Sequence, residues 1–236
     1  MTNRVELYDD GIGFVELVDH LGSDLSVVNS ARVSFGKHKE SVDEKDKKLI
    51  KYLIKHKHTS TLEHCSATFR FKVPLFISKQ HMRHRTWSYN EISRRYTDFN
   101  IEFYEPKAFR KQSESNRQAS VDELTNPNIE VDHPLLANLV ETEASELVRK
   151  HHISSLKLLD QLLEAGVCRE QARGVLPQNM YTEYYGTANL NNILKFVDLR
   201  IHEGAQWEIQ QVAKAVLGIA EELFPITVGA YRESKE

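Results

Sequence analysis

Between Cys65 and Val73 the chain alternates without a break. Cys65, Ala67, Phe69, Phe71 and Val73 fall on one side, and Ser66, Thr68, Arg70 and Lys72 on the other. A period of two predicts a strand with one buried and one wet face, the habit of an antiparallel sheet. The apolar run Phe14 to Val18, after Gly11 and Gly13, predicts another strand. Phe99, Ile101 and Phe103 predict a further one that ends at Pro106.

Helical spacing takes over elsewhere. Asp24 stands where a cap would precede Val27, Val28, Ala31 and Val33. Ser41 and Glu44 have capping-box spacing ahead of Leu49, Ile50, Leu53 and Ile54, a helix ending near His56. Pro74 opens a helix through Leu75, Phe76, Lys79 and Met82. His133-Pro134 opens a long pattern through Leu136, Leu139, Val140, Leu147 and Val148, resumed at Leu156 and stopped at Gly166. A short helix from Cys168 carries Arg173 up to Gly174. Asn189 caps a segment of Leu190, Ile193, Leu194 and Val197 that closes at Arg200, and Ile209 to Leu223 form a last helix stopped by Pro225. Lys107 to Asp132 is polar and has no long apolar period. It reads as a surface excursion or a partly ordered insertion.

With 236 residues, 40% of them hydrophobic, the chain can bury one sizeable core and is read as one domain, residues 1–236. No apolar run is long enough to span a bilayer, and Met1 to Asp10 is polar and acidic, so neither a membrane segment nor a secretory signal is expected. Two distant cysteines, Cys65 and Cys168, suit a reduced, cytoplasmic setting. Eleven histidines invite a metal reading, but there is no His-Glu-x-x-His and no paired cysteine motif, so no metal is expected.

Charge changes the picture more. The chain carries −3, yet Lys79 to Arg95 holds five cations and one carboxylate, a local +4. Within it, Arg83 to Tyr96 has no apolar period and so is not written as a core element. Three readings are open on the residues alone. One is a solvated basic loop. Another is a nucleic-acid patch with Trp87, Tyr89 and Tyr96 stacking between arginines. The last is a site for a flat, phosphorylated small molecule gripped by guanidinium forks. The acidic balance of the whole chain weighs against nucleic acid. His58 to His64, between a helix and the alternating strand, reads as a loop of the kind that carries ligand groups.

The stretch resembles the signature of the flavin-dependent thymidylate synthases, Arg-His-Arg-x-x-Ser continued by Asn-Glu-x-Ser-x-Arg-Tyr. Here the matching residues are Arg83, His84, Arg85, Ser88, Asn90, Glu91, Ser93, Arg95 and Tyr96. His58, followed five residues later by Glu63-His64, matches a second motif. Glu170-x-Ala172-Arg173 with Leu176-Pro177, and Leu199-Arg200 with Ala205-Gln206-Trp207-Glu208, track the family's C-terminal half. The resemblance covers most of the chain, with Lys107 to Asp132 the least comparable part.

That resemblance implies an α+β fold, a mainly antiparallel sheet flanked by helices with a helical C-terminal half and no Rossmann domain. The absence of a Gly-x-Gly-x-x-Gly loop agrees. It implies reductive methylation of dUMP to dTMP, without a protein nucleophile, in a homotetramer whose sites are shared between subunits. Methylenetetrahydrofolate would give the one-carbon unit, FAD would carry the hydride, and NADPH would reduce the flavin. Cofactor binding would fall to His58, Ser60, Glu63, Arg83, His84, Arg85, Glu91, Asn189, Asn191 and Lys195. Gln80, Arg83, Glu91, Ser93, Arg94, Arg95 and Arg173 would hold dUMP and its phosphate, with a main-chain contact at position 94. Arg200 would face the pyrimidine and stabilise its ionised form, the catalytic role.

The chain departs from the family at three places. Asn191 stands where an arginine is frequent, Lys195 where asparagine or histidine is common, and Gly204 where histidine is usual. We read Asn189, Asn191 and Lys195 as a helix N-terminal anion site, the lysine partly replacing the missing arginine. A non-catalytic nucleotide- or RNA-binding protein, and a flavoprotein reductase without methylation, are the alternatives.

Overall fold

The computed structural model describes residues 3–97, 100–117, 119–132 and 139–235. The N-terminal elements are β1 (Arg4–Leu7), β2 (Gly13–Leu21), α1 (Asp24–Arg32), α2 (Glu44–Lys55), β3 (Ser66–Pro74), α3 (Leu75–His81) and β4 (Ser88–Glu91). Then come β5 (Phe109–Gln112), β6 (Ser120–Thr125), β7 (Asn128–Asp132), β8 (Leu139–Glu143), α4 (Ala144–Glu164) and α5 (Arg169–Ala172). The chain closes with β9 (Tyr181–Asn189), α6 (Leu190–Arg200), α7 (Trp207–Leu223) and α8 (Pro225–Glu233). It divides into two compact units, one of Met1–Lys72, Lys79–Glu91 and Glu183–Glu236, the other of Val73–Ser78 and Ile92–Thr182.

The first unit carries a sheet in the order β1-β2-β3-β9-β4, antiparallel at β1–β2, β2–β3 and β4–β9. The alternation of β3 is realised as expected, with Ala67, Phe69 and Phe71 buried and Ser66, Thr68, Arg70 and Lys72 partly wet. Gly186 on β9 lies close beneath two rings. A Cβ there would stand 2.9 Å from Phe71 and 3.3 Å from Trp87, so only glycine lets the strand pass without displacing them.

Two caps differ from the sequence expectation. Asp24 does not cap α1. Ser23 stands at that position, and its amide donates to Ser26 Oγ (3.1 Å). Asp24 is buried instead, and its carboxylate accepts from the Ile226 amide (3.0 Å), the Thr227 amide (2.8 Å) and the Thr227 hydroxyl (2.5 Å). It therefore satisfies the orphan donors at the start of α8. Asp43, not Ser41, caps α2, in a capping box with Asp46. Burial alone would raise the Asp46 carboxyl. Hydrogen bonds from Lys39, the Asp43 amide and Arg32 outweigh it and hold the group well below the usual carboxylate range. Val33 leaves α1 for a 3-10 turn, Val33–Phe35, where it is exposed.

In the second unit the polar stretch after Lys107 forms two hairpins, β5–β6 and β7–β8. The long helix begins at Ala144, not near His133. Residues 133–138 lie outside the described residues, and Leu139–Glu143 is a strand. Its ladder sets Val140 opposite Val131 and Thr142 opposite Ile129, and such β-branched cross-strand pairs favour a sheet over a helix. Among the described residues 100–106, the strand expected to end at Pro106 does not form. Phe99 lies outside the described residues, and Phe103 makes one isolated bridge to Met180. Among the described residues no helix is long and apolar enough to cross a membrane.

Candidate functional site

In the first unit the signature stretch is a turn followed by an edge strand. α3 ends at His81, whose carbonyl accepts the His84 amide (3.0 Å). Arg83 and Arg85 are exposed on that turn. Trp87 is buried and anchors its far side, and β4 then pairs with β9 so that Glu91 lies opposite Tyr184.

Arg200, the last residue of α6, reaches back to this turn. Its Nε donates to His84 Nε2 (3.1 Å) and its Nη2 to the Gln80 carbonyl (3.1 Å). The Gln80 side chain donates to Gln206 Oε1 (2.6 Å). Because His84 Nε2 accepts, its proton sits on Nδ1. Burial, reinforced by the Arg200 guanidinium, pulls the imidazole down to about 4, so His84 is uncharged at neutral pH. The charge of the Arg-His-Arg motif therefore resides on the two arginines.

This has a consequence for stability. Unfolded, His84 takes up a proton near pH 6.5; folded, only near pH 4. Between those values the unfolded chain binds more protons, so stability should fall as pH drops through this window. Buried His81, lowered by burial and by its neighbours His84 and Arg200, acts in the same direction. Thermal midpoints measured against pH should show this slope, and His84→Gln should flatten part of it. An identical slope in the variant would refute the assignment.

Beside α6 the same unit contains a cavity of about 730 Å³. His58, Thr59, Asn191, Lys195 and Tyr231 line it with Leu62 and Leu194, and Lys55 and Lys57 also border it. Asn191 is buried and donates to Glu63 Oε1 (3.0 Å). Asn189 caps α6, its side-chain oxygen accepting from the Asn192 amide (3.0 Å). Both asparagines are thus engaged within the protein, and Lys195, exposed one turn on, presents the charge at this helix start. Ser60 is exposed on the 3-10 turn Thr59–Leu62.

The remaining site residues lie in the second unit. Arg94 and Arg173 border a small hollow with Arg169, Thr97, Ile101 and Leu176. Burial lowers the Arg94 pKa from its ordinary value. Arg95 lies 3.8 Å from Glu170, and its amide donates to Ser93 Oγ (3.3 Å). Arg94, Arg169 and Arg173 thus border one hollow beside α5, and Arg95 approaches the same helix at Glu170. Arg169 is absent from the residues that the sequence marks out, and Gln206 stands among them only as part of the Ala205-Gln206-Trp207-Glu208 match. Arg169 has a detectable signal, its i,i+4 spacing from Arg173. The motif does not pair Gln206 with Gln80, because only the fold sets the two side chains together. Among the described residues no group of three or more His, Cys, Asp or Glu side chains is placed to hold a metal ion.

Residues 16–226 match the family model described as thymidylate synthase complementing protein. A flavin-dependent thymidylate synthase of Thermus thermophilus is 44% identical over 221 residues, which cover 94% of this chain and 76% of that protein. One of Thermosipho melanesiensis is 42% identical over 221 residues, covering 93% and 90%. Among solved structures, the UMP/dUMP methylase PolB from Streptomyces cacaoi, bound with 5-Br dUMP, aligns with a TM-score of 0.78 at 31% identity over 97% of each chain.

Proposed function

Because the chain belongs to the flavin-dependent thymidylate synthase family, we propose that it converts dUMP to dTMP by reductive methylation, with methylenetetrahydrofolate as one-carbon donor and NADPH as the reductant of bound FAD. One observation carries the cofactor part of this reading. The cavity beside α6 has apolar wall residues Leu62 and Leu194, lysines at its border, and three of the expected cofactor residues, His58, Asn191 and Lys195, in its lining. That donor set suits a flat heteroaromatic group tethered to a diphosphate. When bound, the flavin supplies the hydride that reduces the transferred one-carbon unit.

The chain's own residues do the rest. Lys195, with the α6 N-terminus, holds the phosphorylated end of the cofactor, and His58, Ser60 and Glu63 orient it. Arg83 and Arg85 place positive charge beside the flavin ring, and neutral His84 fixes Arg200. Ser93, Arg94, Arg95 and Arg173 hold the nucleotide and its phosphate, and Gln80 and Glu91 orient the pyrimidine. Arg200 favours loss of the proton between the uracil carbonyls, which makes the ring the nucleophile. Sites shared between the subunits of a homotetramer complete the proposal.

The purified protein is expected to be yellow, or to take up added FAD with a change in its visible spectrum, and to form dTMP when given dUMP, methylenetetrahydrofolate and NADPH. A colourless protein that leaves the FAD spectrum unchanged at saturation would refute the reading.

No thiol takes part in this scheme. Cys65 is fully buried, and burial pushes its thiol up to about 11, far from the thiolate a nucleophile needs. Cys168 is exposed, with its thiol 3.6 Å from Gln171 Oε1. The Cys65→Ala, Cys168→Ala double variant should therefore still make dTMP. Abolished turnover with full flavin occupancy and an intact fold would assign the chemistry to a cysteine.

A further inference from the structure

We propose that His81, held by Tyr184, is a positioning residue that fixes the 80–84 turn and through it the Arg200 guanidinium. The proposal rests on the role given above to Arg200. Among the described residues, both hydrogen bonds of that guanidinium end on this turn, at the Gln80 carbonyl and at His84 Nε2. His81 pins the turn twice. Its carbonyl accepts from the His84 amide (3.0 Å) and from the Tyr89 hydroxyl (2.9 Å). Its ring is fully buried in an aromatic box, with centroids of Phe196, Trp87 and Phe71 at 4.5, 4.6 and 4.8 Å.

Packing alone does not explain a histidine here. A hydrocarbon ring would fill the box without the cost of desolvating two nitrogens. His81 Nδ1 lies 2.9 Å from the Tyr184 hydroxyl, itself buried, while Nε2 has no hydrogen-bond partner among the described residues. One nitrogen is thus bonded at the expense of the other. A single directional bond in an apolar setting fixes the rotation of the ring. With the ring fixed, the carbonyl at the end of α3 is fixed too, and the turn with it. Burial and the neighbouring Arg200 and His84 keep the imidazole neutral, so it adds no competing charge beside the guanidinium.

The test uses the full chain and three variants. His81→Phe keeps the ring and removes the nitrogens, Tyr184→Phe removes only the hydroxyl, and His81→Asn restores a polar atom near Nδ1. The first readout is independent of activity. NMR of histidine-labelled protein should show His84 titrating near 4 in the parent and closer to its ordinary value in His81→Phe and Tyr184→Phe, because the Arg200 contact is loosened. In the enzyme assay both variants should lose about tenfold in kcat with KM for dUMP little changed, and the double variant should be no worse than either single one. His81→Asn should recover part of the loss. Should His81→Phe fail to fold, Tyr184→Phe carries the same expectations. An unmoved His84 titration in the folded variants would overturn the proposal, as would parent-like kcat or strictly additive losses. A parent protein that takes up no flavin would count against the functional reading, and the NMR arm would still decide this one.

Discussion

Arg200→Ala is expected to abolish most dTMP formation, by about 10²–10³ in rate, while the fold and flavin uptake persist. The guanidinium is half-buried, and burial lowers its pKa from the ordinary value, so its charge acts through a medium far less screening than water. A cation in that setting stabilises a developing pyrimidine anion most where the charge is formed, which affects kcat more than binding. Arg200→Lys should recover only part of the rate. The ammonium has a single nitrogen and cannot stand at both donor positions, Nε toward His84 Nε2 and Nη2 toward the Gln80 carbonyl. Single-turnover formation of dTMP in flavin-loaded protein is the measurement, and a parent-like rate in the alanine variant would remove Arg200 from the mechanism.

The largest expected effect on stability belongs to Asp24→Ala. The carboxylate is buried and accepts three hydrogen bonds from Ile226 and Thr227, across 202 and 203 positions of sequence. Its loss leaves two amides at the start of α8 without their acceptor, in a place water hardly reaches. Charge-assisted bonds of this kind and the desolvation they offset suggest a cost of about 3 kcal/mol. For a chain of this length the thermal midpoint should drop by roughly 6–12 °C. Asp24→Asn keeps one acceptor oxygen and should cost less, and Thr227→Val, which removes only the hydroxyl bond, less again. A melting point of Asp24→Ala within a degree or two of the parent would show that α8 does not depend on this contact.

What the sequence determined by itself is whatever has a local period or a fixed spacing. β3 is legible because Phe69 and Phe71 bury one face while Thr68 and Arg70 meet solvent on the other, and each choice is made within the strand. The start of α6 at Asn189 and the end of α2 at His56 are legible because caps act within one turn. The Arg83 to Tyr96 signature gave away the chemistry in the same way, by residue type at fixed intervals.

The tertiary structure decided the rest. β9 carries Gly186 among tyrosines and threonines and shows no clean period. It becomes a strand because it lies between β3 and β4 and slides beneath Phe71 and Trp87. Asp24 sits where a local cap would be and serves a helix at the far end of the chain. Arg200 meets residues 116 and 120 positions away, and Gln80 meets Gln206. A hydrogen bond across such a separation depends on the packing of whole elements, and nothing in the residues flanking either partner records it.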